Sequence, residues 1–133
     1  MAKNDRKALI LVTDGEDNSS RYTFSEVRDL ATESNAQIYA IGLAGRLGYG
    51  RGVIYNIVSL TGGRDFFPGG FGDLGEGIDR IHAELHNQYV LGYNPSNKVH
   101  DGKWRKITIN LDPPAGLPKL IVHAKEGYFA AKF

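Results

Sequence analysis

The feature that most constrains this chain is the run Lys7 to Gly15, KALILVTDG. Ala8 to Val12 is an uninterrupted aliphatic stretch that ends abruptly at Thr13-Asp14-Gly15. A short apolar run closed by turn residues is the pattern of a strand covered on both faces, as in a parallel sheet. The run therefore predicts a buried parallel strand that delivers Asp14 to the sheet edge. Ligands of open parallel sheets bind beyond the carboxyl ends of the strands, so Asp14 is the first candidate site residue. A carboxylate held there can ligate a hard cation such as Mg²⁺ or Ca²⁺, or it can cap a turn and bind nothing.

The residues that follow extend this start into a βαβ unit. Thr23-x-x-Glu26 has capping-box spacing, and Phe24, Val27, Leu30 and Ala31 repeat on one helical face. Gln37 to Leu43 (QIYAIGL) is a second buried-strand candidate, rich in β-branched and aromatic residues. Strand, helix and strand in that order form a crossover that is nearly always right-handed. Beyond a glycine-rich loop from Ala44 to Gly52, the residues Val53, Ile57 and Leu60 have helical spacing, with Gly62-Gly63 as a stop. Arg64 to Pro68 can form a very short extended segment. Asp73-x-x-Glu76 repeats the capping-box spacing ahead of a buried stripe at Leu74, Ile78, Ile81 and Leu85, and this helix runs to about His86. Gln88 to Tyr93 (QYVLGY) reads as a third main strand.

After Pro95 the period changes. Asp101-Gly102 is a tight-turn signal. Trp104 to Leu111 and Lys119 to Lys125 alternate with period two, which predicts half-exposed antiparallel strands, and Gly127 marks a bulge or kink. The expected organisation is one domain over residues 1–133, with an α/β core at 7–93 and an antiparallel β-extension at 94–133. The fold class expected is α/β: a partial doubly wound, mainly parallel, three-layer Rossmann-like sheet with a C-terminal hairpin.

Composition narrows the function classes. The chain has 133 residues, and 16 basic against 15 acidic side chains give bulk charge no reason to attract nucleic acid or a membrane surface. There is no cysteine, which excludes disulfides, thiolate metal sites and cysteine nucleophiles. No apolar run approaches the roughly 18 residues of a membrane span, and MAKNDRK lacks the apolar core of a signal peptide. Met1 is the single methionine, which fits a piece of a longer protein.

Four further constellations are weaker. His82 and His86 share a helix face at i, i+4, but Ala83 stands where a zincin helix has Glu. The glycines at 45, 48, 50 and 52 follow neither G-x-G-x-x-G nor a P-loop order. Lys103, Trp104, Arg105 and Lys106 mix basic and aromatic residues as single-strand nucleic-acid platforms do, yet strand alternation splits them between two faces. None of the serines sits in G-x-S-x-G.

Taken in order, ALILVTDGEDNSS, QIYAIGL, SLTGGRDFF and LHNQYVLGYNPS resemble the C-terminal half of a von Willebrand factor type A domain. The closer likeness is to bacterial von Willebrand-A-related proteins that continue into a DGKWRKI-type hairpin and a KEGYFA-like ending. The resemblance spans Lys7 to Ala130. It implies a doubly wound α/β sheet that binds a protein ligand through a divalent cation at a metal-ion-dependent adhesion site. Of that site's elements only the aspartate of the TDG position carries over, onto Asp14. The chain contains no Asp-x-Ser-x-Ser, and no middle-loop threonine precedes Lys7.

The resulting expectation is a non-enzymatic interaction or adhesion-type module, a truncated domain with an incomplete metal site. It requires no cofactor and binds Mg²⁺ or another divalent cation weakly at most. Its partner is a protein, with no nucleic acid and no membrane insertion. The partner surface is expected in the loops Asp14 to Tyr22, Ala44 to Gly52 and the approach to Asp73, with Asp14, Glu16, Asp17, Asn18, Arg46 and Tyr49 as contacts. The family's first strand would lie beside Lys7 to Thr13; without it that strand becomes a sheet edge, which implies self-association. The resemblance places the full-length parent outside the cytoplasm or on the cell surface. The competing readings are a metal-dependent hydrolase using Asp14 and a purely structural piece of a larger secreted or surface protein.

Overall fold

The computed structural model describes residues 7–13, 21–43 and 50–132. The chain is a mixed α/β protein with a three-stranded parallel sheet, helices on both of its faces and a separate two-stranded antiparallel sheet. The parallel sheet has the order β1-β2-β3, with β1 at Lys7–Thr13, β2 at Ala36–Gly42 and β3 at Asp65–Phe66. Helices α1 (Phe24–Glu33), α2 (Gly50–Thr61) and α3 (Leu74–His86) alternate with these strands.

Strand β2 is the centre of the core because alternate side chains leave it on opposite faces. Ile38 and Ala40 pack with Ala31 of α1 and with Ile54 and Val58 of α2. Tyr39 and Ile41 pack on the other face with Phe66 and with Ile81 of α3. Each such fully buried aliphatic side chain stabilises by about 1.5–3 kcal/mol relative to leaving it exposed.

Local chemistry explains the element ends. Thr23 caps α1 in the extended conformation, its hydroxyl accepting from the Glu26 N–H while the Glu26 carboxylate accepts from the Thr23 N–H at 2.8 Å. Those bonds also hold the Glu26 carboxyl below its ordinary pKa, the Thr23 backbone N–H contributing most. Helix α2 ends in a Schellman motif: Gly63 N–H donates to Val58 O and Gly62 N–H to Ser59 O. Gly62 takes the left-handed φ of +80° that this motif requires. The buried Thr61 hydroxyl, itself donating to Val58 O, accepts the Ile38 N–H of β2 at 3.0 Å. It supplies a ladder partner below the point where β3 begins.

The antiparallel sheet pairs β4 (Trp104–Lys106) with β5 (Gly127–Phe129). It docks against the end of α2, where Glu126 N–H donates to Leu60 O. Asp101 Oδ1 accepts from the Lys103 N–H at 3.0 Å, forming the turn expected at Asp101-Gly102.

Several sequence expectations are corrected. β1 is parallel and paired with β2, but Leu9, Ile10, Leu11 and Val12 are 55%, 45%, 40% and 56% exposed rather than buried. Among the described residues no strand pairs with its outer edge, so one side of each face has no neighbour. Phe24 and Leu30 of α1 are exposed as well. Gln88 to Tyr93 is not a strand: β3 offers only two ladder positions before Phe67-Pro68, too few to hold six residues in register. Ile78 lies on the solvent side of α3. Asp73 makes no side-chain cap bond, since its φ/ψ of −94°/1° belongs to the preceding 3-10 turn and not to the extended region. The segments Leu111 and Lys119 to Lys125 carry no strand, and only Trp104–Lys106 pairs from the first of the alternating runs. Gly127 lies within β5, not at a bulge: a Cβ there would meet Arg105 O and the Trp104 ring closer than 3 Å.

Candidate functional site

The three parallel strands finish at the same end of the sheet, at Thr13, Gly42 and Phe66, with Leu43 N–H donating to Thr13 O at 2.7 Å. This is the ligand-facing end of an open α/β sheet. Of the contacts expected there, Asp14, Glu16, Asp17, Asn18, Arg46 and Tyr49 all lie outside the described residues. The third expected loop, the approach to Asp73, is described, and it forms a groove.

The groove has a volume of about 210 Å³ and is lined by Phe66, Phe67, Pro68, Gly69, Asp73, Glu76, Gly77 and Arg80. Its construction follows from the local sequence. Strand β3 ends at Phe66, two residues before Pro68, which has no N–H to continue a ladder, and Gly69-Gly70 turns the chain into the 3-10 turn Phe71–Asp73. Asp73 N–H closes that turn on Gly70 O at 3.1 Å. The first turns of α3 then form the opposite wall, where Gly77 is buried facing Ile41 and Phe66.

The lining mixes apolar Phe66 and Pro68 with charged Asp73, Glu76 and Arg80. Arg80 pairs with Glu76 at i, i+4 on the exposed side of α3. The two side chains are 59% and 63% exposed, so this pair is worth little by itself and can exchange for a ligand group at small cost. From the other sheet face Arg51, in the first turn of α2, places its guanidinium 4.3 Å from the centre of the Phe67 ring. That cation–π contact holds the ring on the α2 face of the sheet, where it packs against the cluster of Ala31, Ile38, Ala40, Ile54 and Val58. Phe67, Arg80 and Arg51 were not singled out from the sequence, and Glu76 only as part of a capping-box spacing. The signal for them was the apolar pair and breaker RDFFPGG at the end of a strand, followed by a charged first helical turn.

A second polar cluster lies at the opposite end of the sheet. Gln88 Nε2 donates to Gln37 Oε1 and to the Tyr39 hydroxyl, and Arg64 pairs with Glu84. Burial pushes the Tyr39 phenol above its ordinary pKa, with Gln88 acting the other way. These bonds tie the chain leaving α3 to the start of β2, a structural role away from the ligand-facing end.

The remaining sequence candidates are engaged locally. The His82 and His86 rings lie 4.1 Å apart, with His86 Nδ1 2.9 Å from His82 O, and the neighbouring Glu84 is held by Arg64. In the basic cluster, Arg105 donates to Asp101 Oδ1 at 2.7 Å, and Trp104 packs edge-on against Phe129 at 5.1 Å. The Lys103 N–H, with Arg105 beside it, holds the Asp101 carboxyl below its ordinary pKa. Lys103 and Lys106 are exposed, Lys103 with its ammonium 4.0 Å from Asp101 Oδ2. Asp101, Arg105 and the Trp104–Phe129 contact therefore serve a turn and a strand pair.

For a divalent cation, these donors do not make a set. Asp14 is outside the described residues, no Asp-x-Ser-x-Ser exists in the chain, and Glu76 at the same sheet end is paired with Arg80. Among the described residues no three His, Asp or Glu side chains converge.

The fold and groove define an open α/β sheet with a ligand-facing end. No family model matches the chain, and no curated protein matches it. Among solved structures, the chain is similar to an uncharacterized membrane-spanning protein from Vibrio fischeri, at 24% identity and a TM-score of 0.52. The match covers 58% of this chain and 46% of that one, so the chain spans less than half the length of that structure. The likeness extends to the fold alone. Among the described residues of the present chain no helix is long and apolar enough to cross a membrane.

Proposed function

We propose that this chain is a non-enzymatic protein-interaction module, a truncated von Willebrand A-like domain whose metal-ion-dependent adhesion site is incomplete. The observation that carries the reading is the groove at the carboxyl end of β3, lined by Phe66 and Pro68 and by the exposed Glu76–Arg80 pair. A groove with both apolar and charged lining can take an apolar side chain of a ligand and orient the polar groups beside it. The order of TDG strand, helix and second strand also agrees with the family that the sequence resembles. A protein ligand then docks on the strand-end loops, with Asp14 as the surviving leg of the metal site and divalent cations contributing weakly.

The test begins with ligands selected from a displayed peptide library against the whole chain. Glu76→Lys and Arg80→Glu should each weaken the selected ligands at least tenfold, about 1.4 kcal/mol, while Trp104→Phe on the antiparallel sheet should leave them unchanged. Ligands that ignore both groove substitutions and lose affinity with Trp104→Phe would overturn the proposal.

A further inference from the structure

The end of α3 carries a pair of nitrogen donors that the groove does not use. Ile81 is buried against Tyr39, Ile41 and Phe66, and Leu85 packs against the same cluster. A histidine directly follows each of them, so His82 and His86 ride on successive turns of an anchored helix, and both are exposed. Their rings lie 4.1 Å apart, centre to centre, with 48° between the planes. Two imidazoles bound to one ion at about 2.0–2.1 Å place their ligating nitrogens roughly 3 Å apart. Rings at this separation reach that spacing by turning about their own side-chain bonds.

A second observation fixes which nitrogen is available. His86 Nδ1 lies 2.9 Å from His82 O. A carbonyl oxygen only accepts, so Nδ1 carries the proton, and in the neutral ring the lone pair is left on Nε2. Metal-ligating histidines are oriented in this way, by donating the second ring N–H to a backbone carbonyl or a carboxylate. The surroundings also suit a cation. The C-terminal end of a helix carries partial negative charge, and Arg64, the cation bonded to this turn, is neutralised by Glu84.

We infer that His82 and His86 together chelate one divalent transition-metal ion through two imidazole nitrogens, with water in the remaining positions. Such ligands bind Cu²⁺ most tightly, with Ni²⁺ and Zn²⁺ behind it, whereas Mg²⁺ and Ca²⁺ take oxygen donors. The site is thus distinct from the oxygen donors of the strand ends, which make no set for a hard cation. Ala83, standing where a zincin helix has its glutamate, leaves the ion without a general base. The pair therefore binds an ion and does not hydrolyse. On α3 the groove draws on residues up to Arg80 and the ion on residues from His82, so substitutions test the two apart.

Calorimetric titration of the whole chain with Cu²⁺, and separately with Zn²⁺, tests the inference. One ion should bind per chain, Cu²⁺ more tightly than Zn²⁺. His82→Gln and His86→Gln should each weaken Cu²⁺ by about tenfold or more, the advantage of holding both arms at once. The double variant should be little worse than either, because a chelate is lost with its first arm. Both side chains are exposed, so the circular dichroism spectrum should not change. The other two histidines, His100 and His123, supply the control, and replacing both by glutamine should leave Cu²⁺ binding as it was. In the nitrogen-15 spectrum Zn²⁺ should move His86 Nε2 while Nδ1 keeps its proton. Absence of saturable uptake by the native chain, binding that survives His82→Gln or His86→Gln, two ions lost one with each histidine, or binding lost from the folded His100 and His123 variant would each overturn the inference.

Discussion

Replacing Gly62 by alanine should separate two costs that the structure assigns to one residue. The first is conformational: Gly62 has φ +80°, and a Cβ in the left-handed region costs about 1–2 kcal/mol. The second is steric. The new Cβ would stand 2.6 Å from Lys125 N and 2.7 Å from Ala124 C, both backbone atoms that cannot rotate away. The 124–126 segment must move, which loosens the bond from Glu126 N–H to Leu60 O and the bond from Ile107 N–H to Glu126 O. With about 0.5–1.5 kcal/mol for each of the two net hydrogen bonds, the total is about 2–5 kcal/mol. Gly116 supplies the control, because its φ is +94° and nothing lies within 4 Å of where its Cβ would stand. Gly116→Ala should therefore cost the conformational part alone, about 1–2 kcal/mol. Urea unfolding followed by Trp104, the single tryptophan and a member of β4, reads both variants. Hydrogen exchange at Glu126 and Ile107 reads the docking of the antiparallel sheet. Equal destabilisation by the two substitutions, with exchange at Glu126 unchanged, would refute the steric argument.

The remaining predictions use the same unfolding assay. Thr61→Val should cost about 1–3 kcal/mol, because it leaves the buried Ile38 N–H without its acceptor. Ile81→Ala should cost about 2–5 kcal/mol by opening a cavity between α3 and the Tyr39, Ile41 and Phe66 cluster; a cost below about 1 kcal/mol by this measure would mean that α3 does not pack there. Thr23→Ala should cost about 1 kcal/mol and should remove the contribution of Glu26. That carboxyl has a lowered pKa in the fold, so its stabilisation is present above the unfolded pKa and lost as pH falls through the folded one. Lys125 is held below its ordinary pKa by burial. Its charged form opposes folding, so stability should rise as pH climbs from the folded toward the unfolded lysine pKa, and Lys125→Met should flatten that rise.

The sequence was legible wherever a signal was local. Thr23-x-x-Glu26 is a capping box because Thr23 is extended, at φ −72° and ψ 156°. Asp73-x-x-Glu76 has the same spacing and fails because the turn before it fixes Asp73 near ψ 1°. Gly62-Gly63 ends a helix as its composition implies, and QIYAIGL became the central strand with a shift of one residue. What was not legible depended on neighbours. The aliphatic run of β1 announces a strand, but its burial depends on a second flanking strand that no local pattern supplies. QYVLGY has the composition of a strand and no ladder to join, since β3 is two residues long. The same limit applies to the site. The expectation built on Asp14 lies outside the described residues, and the groove that Phe66, Asp73, Glu76 and Arg80 line is one that no spacing rule indicates.

The claim that the sheet's carboxyl end is the docking surface is tested most directly by mapping a selected peptide ligand onto the backbone amides by NMR. A ligand docked there shifts Phe67, Gly69, Asp73, Gly77 and Arg80 and leaves β4 and β5 unmoved. Shifts confined to residues 101–132, with the amides around the groove silent, would contradict it.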